Sequence, residues 1–307
     1  MNIVSTFSGA GGLDLGLVHA GHQILWANDI DSDSCETYRL NIGNHIICND
    51  ISDVKLAEIP NCDVVVGGFP CQGFSTANML RDTNDERNIL YRQFYRIIKG
   101  KKPRYFIAEN VRGILSLDDG NAIKKIVNDF SDAGYRVKYQ LFNTANYGIP
   151  QTRLRVIIVG TRKDLSEEMD FQFPDATHNK SEWVSISDAL QRIPDPEDPK
   201  SNLKNHVCSQ YKITNRNFTG HRKTDPNKPS PTILARGNGK GGVCAIQHPN
   251  NHRRMSVRES ALIQTFPIDF EFVGSMGSMY RQVGNAVPVL FAEHLGRKLK
   301  ELENILV

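Results

Sequence analysis

Cys71 stands between Pro70 and Gln72 at the end of Asp63-Val64-Val65-Val66-Gly67-Gly68-Phe69-Pro70, a setting in which a thiol can serve as a nucleophile. The proline fixes the backbone just before the sulfur, and the paired glycines let a partner approach closely. The reactive form is the thiolate, and a free thiol with pKa ~8.5 is mostly protonated at neutral pH, so a nearby cation or backbone field must favour ionisation. A buried structural cysteine is the alternative, and this stretch alone does not separate the two. Two further groups stand ready for chemistry. Glu109 opens Glu109-Asn110-Val111 after an apolar run, and Arg153 and Arg155 lie in Gln151-Thr152-Arg153-Leu154-Arg155, where strand alternation sends both guanidiniums to one side. A structural ion pair is the plain alternative for these three.

Carboxylates at strand ends suggest a second binding function. The loop Phe7-Ser8-Gly9-Ala10-Gly11-Gly12 precedes a helix, and its small residues would let N–H groups at the helix start meet a polar ligand. It lacks the dinucleotide spacing Gly-x-Gly-x-x-Gly, because the third position is Asp14. Asp29 stands at the tip of the second strand, where such folds hold ribose hydroxyls, and Asp50 ends the third, where a carboxylate could accept from an adenine amino group. Taken singly, each acid reads equally as a surface carboxylate or helix cap. In series, without a diphosphate fingerprint, they favour adenosine carrying no diphosphate, which S-adenosylmethionine satisfies.

These groups need a scaffold. Hydrophobic patterning predicts strands over residues 2–7, 23–28, 45–49, 63–66, 104–108, 136–142 and 155–159, and helices over 13–20, 90–99 and 121–133. That alternation predicts a largely parallel sheet with helices on both faces. Short apolar runs ending in Cys71 and Glu109 put both at carboxyl ends of strands, where open α/β sheets bind ligands. Residues 76–88 are polar and aperiodic and are expected to form a lid. Beyond about residue 164 the chain turns acidic and proline-rich, which marks the crossing into a second region. From Lys200 to Arg258 there are twelve lysines and arginines against one acid, Asp225, an excess of +11 that leaves the rest of this +3 chain at −8. Such a basic block in an acidic body fits nucleic acid. Ser256 with Glu259 three residues on predicts a capped helix, residues 284–288 a turn, and the stretch from Val289 an amphipathic helix packing back on the first domain.

The 307 residues, 39% apolar and 23% charged, are ordinary for a globular protein of one or two domains. No apolar run approaches the roughly 18 residues of a membrane span, and no leader pattern precedes the first strand, so a cytoplasmic protein is expected. The six cysteines form no Cys-x-x-Cys pair, and neither a metal site nor a thioredoxin motif is expected.

Together these segments resemble the DNA (cytosine-5)-methyltransferase family, in the family's order and over nearly the whole chain. Phe7-Ser8-Gly9-Ala10-Gly11-Gly12 resembles its first cofactor motif, Gly68-Phe69-Pro70-Cys71-Gln72 its Pro-Cys motif, Glu109-Asn110-Val111 its Glu-Asn-Val motif, and Gln151-Thr152-Arg153-Leu154-Arg155 its Gln-x-Arg-x-Arg motif. Arg258-Glu259-Ser260 resembles the Arg-Glu motif and Gly284-Asn285 the final Gly-Asn motif. The resemblance implies a Rossmann-like S-adenosylmethionine-dependent methyltransferase sheet over residues 1–172 and 276–307, and a smaller loop-rich target-recognition domain over 173–275. It implies Cys71, Glu109, Arg153 and Arg155 as catalytic residues. Cofactor contacts would come from Phe7, Gly9, Ala10, Gly12, Leu13, Asp29, Ile30, Asp50, Ile51, Pro70, Leu90, Asn285 and Ala286, with S-adenosylhomocysteine as product. DNA contacts would come from Gln72, Ser75, Arg222, Lys223, Thr232, Leu234, Arg236, Lys240, Arg253, Arg254 and Arg258. Two positions depart from the family: Ile30 stands where an aromatic ring often stacks on adenine, and Asn88 where glycine is common. The expected protein is a monomeric prokaryotic modification enzyme, nucleoid-associated when bound to duplex DNA and potentially paired with a restriction endonuclease. A transfer-RNA cytosine methyltransferase and a catalytically silent DNA-binding regulator of the same fold are the alternatives.

Overall fold

The computed structural model describes residues 1–70, 89–209, 224–235, 246–250 and 253–305. Its centre is a seven-stranded sheet in the order β3-β2-β1-β4-β5-β8-β6. The strands are β1 (Asn2–Thr6), β2 (Gln23–Asp29), β3 (Ile46–Cys48), β4 (Val64–Gly67), β5 (Tyr105–Val111), β6 (Tyr135–Asn143) and β8 (Leu154–Arg162). The first five of these run parallel, as expected, and β8 runs antiparallel to both β5 and β6. The reversal has a simple cause. Between Asn143 and Leu154 there is only a single 3-10 turn and the two-residue strand β7 (Gln151–Thr152), too little chain for the helical crossover that a parallel return demands.

Alternation along the strands fills two layers. Ile3, Val64, Val66, Ile107 and Ile157 face a cluster with Leu17, Phe291 and Leu295. Val4, Val65, Phe106 and Ile158 face the other side, with Phe94, Ile126 and Phe130. The covering helices are α1 (Gly12–His19), α2 (Ser32–Asn41), α3 (Ile89–Lys101), α4 (Asn121–Asp132) and α8 (Val289–Ile305). A third cluster joins Ile186, Ile233, Val257, Ile263, Phe266, Phe270 and Phe272 to Met279 and Val283, and to Leu15 of α1. It gathers the short helices α5 (Ile186–Leu190) and α6 (Val257–Ile263) against α7 (Met276–Asn285), while β9 (Ser230–Pro231) pairs in parallel with β7.

Two expectations change. Helix α2 is absent from the hydrophobic pattern because Ser-Asp-Ser-Cys-Glu-Thr-Tyr-Arg-Leu-Asn is polar; it forms through the Asp31 cap, whose side chain accepts from Ser34 N at 2.9 Å. Gly284 and Asn285, expected in a turn, are the last residues of α7, and the chain leaves the helix at Ala286. The capped helix after Ser256 is present with a full capping box. Among the described residues no helix is long and apolar enough to cross a membrane.

Candidate active site

At the carboxyl ends of β1, β2, β4 and β5, beside the switch in strand order between β1 and β4, lies a cleft of about 680 Å³. Every residue expected to contact a cofactor lines it: Phe7, Gly9, Ala10, Gly12 and Leu13 from the first loop and helix, Asp29, Ile30, Asp50 and Ile51 from the next two strand ends, and Pro70, Leu90, Asn285 and Ala286 opposite. Glu109, Arg153 and Arg155 line it too.

The first loop earns its shape from backbone geometry. Phe7, Gly9 and Gly11 all take positive φ (54°, 54° and 89°), which winds the loop into a tight turn. Ser8 N donates to Asn28 O at 2.9 Å, and Gly9 N to Asp29 Oδ2 at 2.7 Å. Asp29 Oδ1 accepts from Asp31 N at 2.9 Å. Burial pushes the Asp29 carboxyl up, and these N–H bonds pull it back. Both oxygens retain a lone pair for ligand hydroxyls. Asp50 Oδ1 accepts from Ser52 N at 2.8 Å, which fixes that carboxylate at the next strand end. Ile30, 69% exposed, offers bare apolar surface on the same rim. A carboxylate at the end of β2, a second acid and an apolar face suit an adenosine, and among the described residues no diphosphate cradle accompanies them.

Beneath the loop, Asp14 is fully buried and accepts from Ser5 Oγ at 2.7 Å and Tyr38 Oη at 2.8 Å. Tyr38 spends its one proton on Asp14, so His45 Nε2, 3.0 Å away, is the donor to its oxygen. Burial raises Asp14 from 3.8 to about 6. The unfolded carboxyl ionises first as pH rises, so the stability this group contributes is fully present below about pH 4 and gone above about pH 6, a change of roughly 3 kcal/mol. Asp14→Asn cannot ionise and is expected to lose that slope. Urea midpoints of both proteins at about pH 4.5 and pH 7 check it: the wild type should lose more stability on going to pH 7, and parallel profiles would contradict the assignment.

On the other side of the cleft, Glu109 in β5 lies opposite Ile157, and Arg155 in β8 opposite Val111, which sets the two side chains diagonally on one face. Arg155 Nε lies 2.6 Å from Glu109 Oε1, a close ion-pair contact whose N–H is not aligned as a hydrogen bond; both side chains are nearly buried, at 12% and 13% exposure. The neighbouring Asn110 donates to Phe69 O at 3.0 Å, anchoring the segment that leads to Pro70 and Cys71. Arg153, expected in catalysis beside Arg155, differs in its engagement. It is 1% exposed and donates to Ile233 O at 3.0 Å and Gly284 O at 3.1 Å. Burial, reinforced by Arg155, lowers it to about 9, which still leaves a cation at neutral pH.

Cys71, Gln72, Ser75, the expected lid, Arg222, Lys223, Arg236 and Lys240 lie outside the described residues. Thr232 and Leu234 are half-buried beside β7, with Thr232 Oγ1 donating to Thr152 O at 2.8 Å. Three residues expected to contact DNA are engaged within the fold. Arg258 is fully buried and donates to Lys204 O, Pro267 O and Phe270 O. Arg254, 4% exposed, stacks 3.6 Å over the Tyr280 ring. Arg253 grips Glu259 through two bonds of 2.8 Å. A count of basic residues cannot tell a guanidinium that braces the fold from one that faces solvent. Arg281 and Gln282 also line the cleft and were missed, although Arg281 lies one turn before Asn285 and so shares its helical face. Among the described residues no three metal-ligating side chains gather into a site.

The family model described as C-5 cytosine-specific DNA methylase matches residues 1–301. The chain is 39% identical over 314 residues to the type II methyltransferase M.NgoFVII of Neisseria gonorrhoeae, covering 93% of this chain and 83% of the relative. It is 37% identical over 334 residues to M.MthTI of Methanothermobacter thermautotrophicus, another type II methyltransferase, covering 100% and 99%. A crystal structure of a candidate DNA modification methyltransferase encoded within an E. coli prophage superposes with a TM-score of 0.77 at 25% identity, covering 99% of each chain. The Dnmt2 methyltransferase of S. pombe shares the fold at a TM-score of 0.74 and 21% identity, covering 100% and 99%.

Proposed function

Since this chain belongs to the C-5 cytosine-specific DNA methylase family, we propose that it moves a methyl group from S-adenosylmethionine to carbon 5 of a cytosine flipped out of a specific short duplex sequence. The observation that carries the reading is the convergence of the Asp29 rim and the Glu109–Arg155 pair on one cleft. When bound, S-adenosylmethionine supplies an electrophilic methyl. The protein's task is to make a poor carbon nucleophile accept it. Cys71, as thiolate, adds to carbon 6 and pushes electron density toward carbon 5. Glu109 holds a proton at ring nitrogen 3 while that charge develops, and Arg155 fixes its carboxylate and supports the base. Loss of the carbon 5 proton then lets the bond to Cys71 break. Arg153 acts through the backbone it holds.

Asp29 accepts from the ribose hydroxyls and Asp50 from the adenine amino group, while Ile30 covers one face of the ring. An isoleucine stacks less well than an aromatic ring, so Ile30→Trp is expected to tighten binding of S-adenosylhomocysteine by about 0.5–1.5 kcal/mol, roughly two- to twelvefold. Calorimetric titration of the two proteins checks this, and equal or weaker binding by the variant would argue against adenine at Ile30.

Residues 1–172 and 276–307 form the cofactor and catalytic part in this reading, and 173–275 the recognition part, with Thr232 and Leu234 facing DNA. Unstacking the target base costs on the order of a few kcal/mol, offset by contacts to the opened duplex. The similarity to type II methyltransferases supports a prokaryotic modification enzyme protecting DNA from a cognate endonuclease; in this reading it is cytoplasmic and acts as a monomer. Labelled methyl incorporation into duplex DNA and into transfer RNA, with bisulfite sequencing of DNA from expressing cells, tests the proposal. Methylation of one recurring duplex sequence is expected. Labelling of transfer RNA alone would reassign the substrate, and labelling of neither, with DNA still bound, would point to a silent regulator.

A further inference from the structure

Two buried amides and one buried guanidinium join the floor of the cleft to the segment carrying Thr232 and Leu234. Gln264, at the end of α6 and 0% exposed, donates from Nε2 to Val283 O at 2.7 Å and Ala286 O at 3.0 Å. Those carbonyls bracket Gly284 and Asn285, which line the cleft. The Gln264 Oε1 accepts from Gln151 Nε2 at 2.6 Å, and Gln151 Oε1 in turn accepts from Ile233 N at 2.8 Å. Arg153 runs a second line in parallel, from Ile233 O to Gly284 O. The main chain of Ile233 is thus held at both its N–H and its C=O by side chains tied to α7. Backbones touch as well: a Cβ on Gly284 would fall 2.3 Å from Ala235 N and 2.4 Å from the Leu234 carbonyl carbon. Neither amide can turn over, because the two carbonyls facing Gln264 Nε2 demand a donor and Gln151 Nε2 demands an acceptor.

We propose that Gln264 is a positioning residue that couples occupancy of the methyl-donor cleft to the seating of Thr232–Leu234 on DNA. A ligand pressing on Asn285 and Ala286 and a duplex pressing on residues 232–234 both stabilise one arrangement of this bridge, so each ligand tightens the other by the same factor. The inference rests on the reading that the cleft takes S-adenosylmethionine and that residues 232–234 face DNA.

The test measures Kd for a duplex carrying the target found by bisulfite sequencing, with and without saturating S-adenosylhomocysteine. Wild type is compared with Gln264→Leu and, should that variant fold poorly by thermal melt, with Gln151→Leu. Wild type is expected to bind DNA tighter by about 5- to 150-fold when the cleft is filled. In either variant the ratio should fall to within about twofold of unity, a collapse that loss of packing alone would not produce. Uniformly weaker DNA binding with the wild-type ratio preserved overturns the proposal, as does a wild-type ratio of one. Failure of the wild type to bind either ligand would instead remove the functional reading beneath it.

Discussion

Cys71→Ala is expected to eliminate methyl transfer to duplex DNA, by at least about four orders of magnitude, while DNA binding persists. Carbon 5 of cytosine lies in an electron-poor ring and does not attack a methyl donor unaided. Addition of sulfur at carbon 6 is what creates a nucleophile, so no neighbouring group can substitute by polarisation alone. Binding draws on different groups, the backbone and side chains of the recognition region, and these remain. A duplex containing 5-fluorocytosine at the target separates the two outcomes. Fluorine cannot leave as the proton does, so the wild type should stay covalently attached through a denaturing gel and Cys71→Ala should migrate freely. Residual turnover by the variant, or a wild type that never becomes attached, would defeat the mechanism.

Glu109→Gln should lower the single-turnover rate by about 10²- to 10³-fold, the cost of losing one aimed group at a developing charge. Glutamine keeps the shape but loses the charge that pairs with Arg155, 2.6 Å away in the wild type. It cannot hand a proton to ring nitrogen 3, and it leaves the guanidinium uncompensated. The pair is nearly buried, at 12% and 13% exposure, but it lines the open cleft and the substitution is isosteric, so the fold should survive with a melting shift of a few degrees. S-adenosylhomocysteine affinity should stay within about twofold of wild type, since the proposed mechanism assigns Glu109 to the base and Asp29 to the ribose. An unchanged rate would reduce Glu109 to a structural partner of Arg155.

Much of this architecture was legible in the chain. Short apolar runs mark the buried strands, and residues at or near the carboxyl ends of β1, β2, β3 and β5 prove to line the cleft: Phe7, Asp29, Asp50 and Glu109. The reversed direction of β8 was not legible, because strand patterning carries no polarity; only the short link from Asn143 to Leu154 constrains it. Helix α2 was hidden by its polar composition, and α7 by reading Gly284 as a turn when it serves close backbone approach. The basic residues misled most. Arg253, Arg254 and Arg258 were expected to contact DNA, yet they engage a carboxylate, a ring and backbone carbonyls of the fold. Partners outside the motif itself decide such cases: Phe270 and Tyr280 lie 12 and 26 residues beyond Arg258 and Arg254, and Glu259, though near Arg253 in sequence, shows in the sequence only as a helix cap.

Gln151 and Arg153 hold Ile233 by its main-chain N–H and C=O alone, atoms that every residue type except proline presents alike. The grip is therefore indifferent to which side chains flank it. If residues 232–234 face DNA as proposed, the side chain at 234 can be exchanged for one suited to a different base without loosening this main-chain grip, whereas an exchange at 232 also gives up the Thr232 Oγ1 bond to Thr152 O.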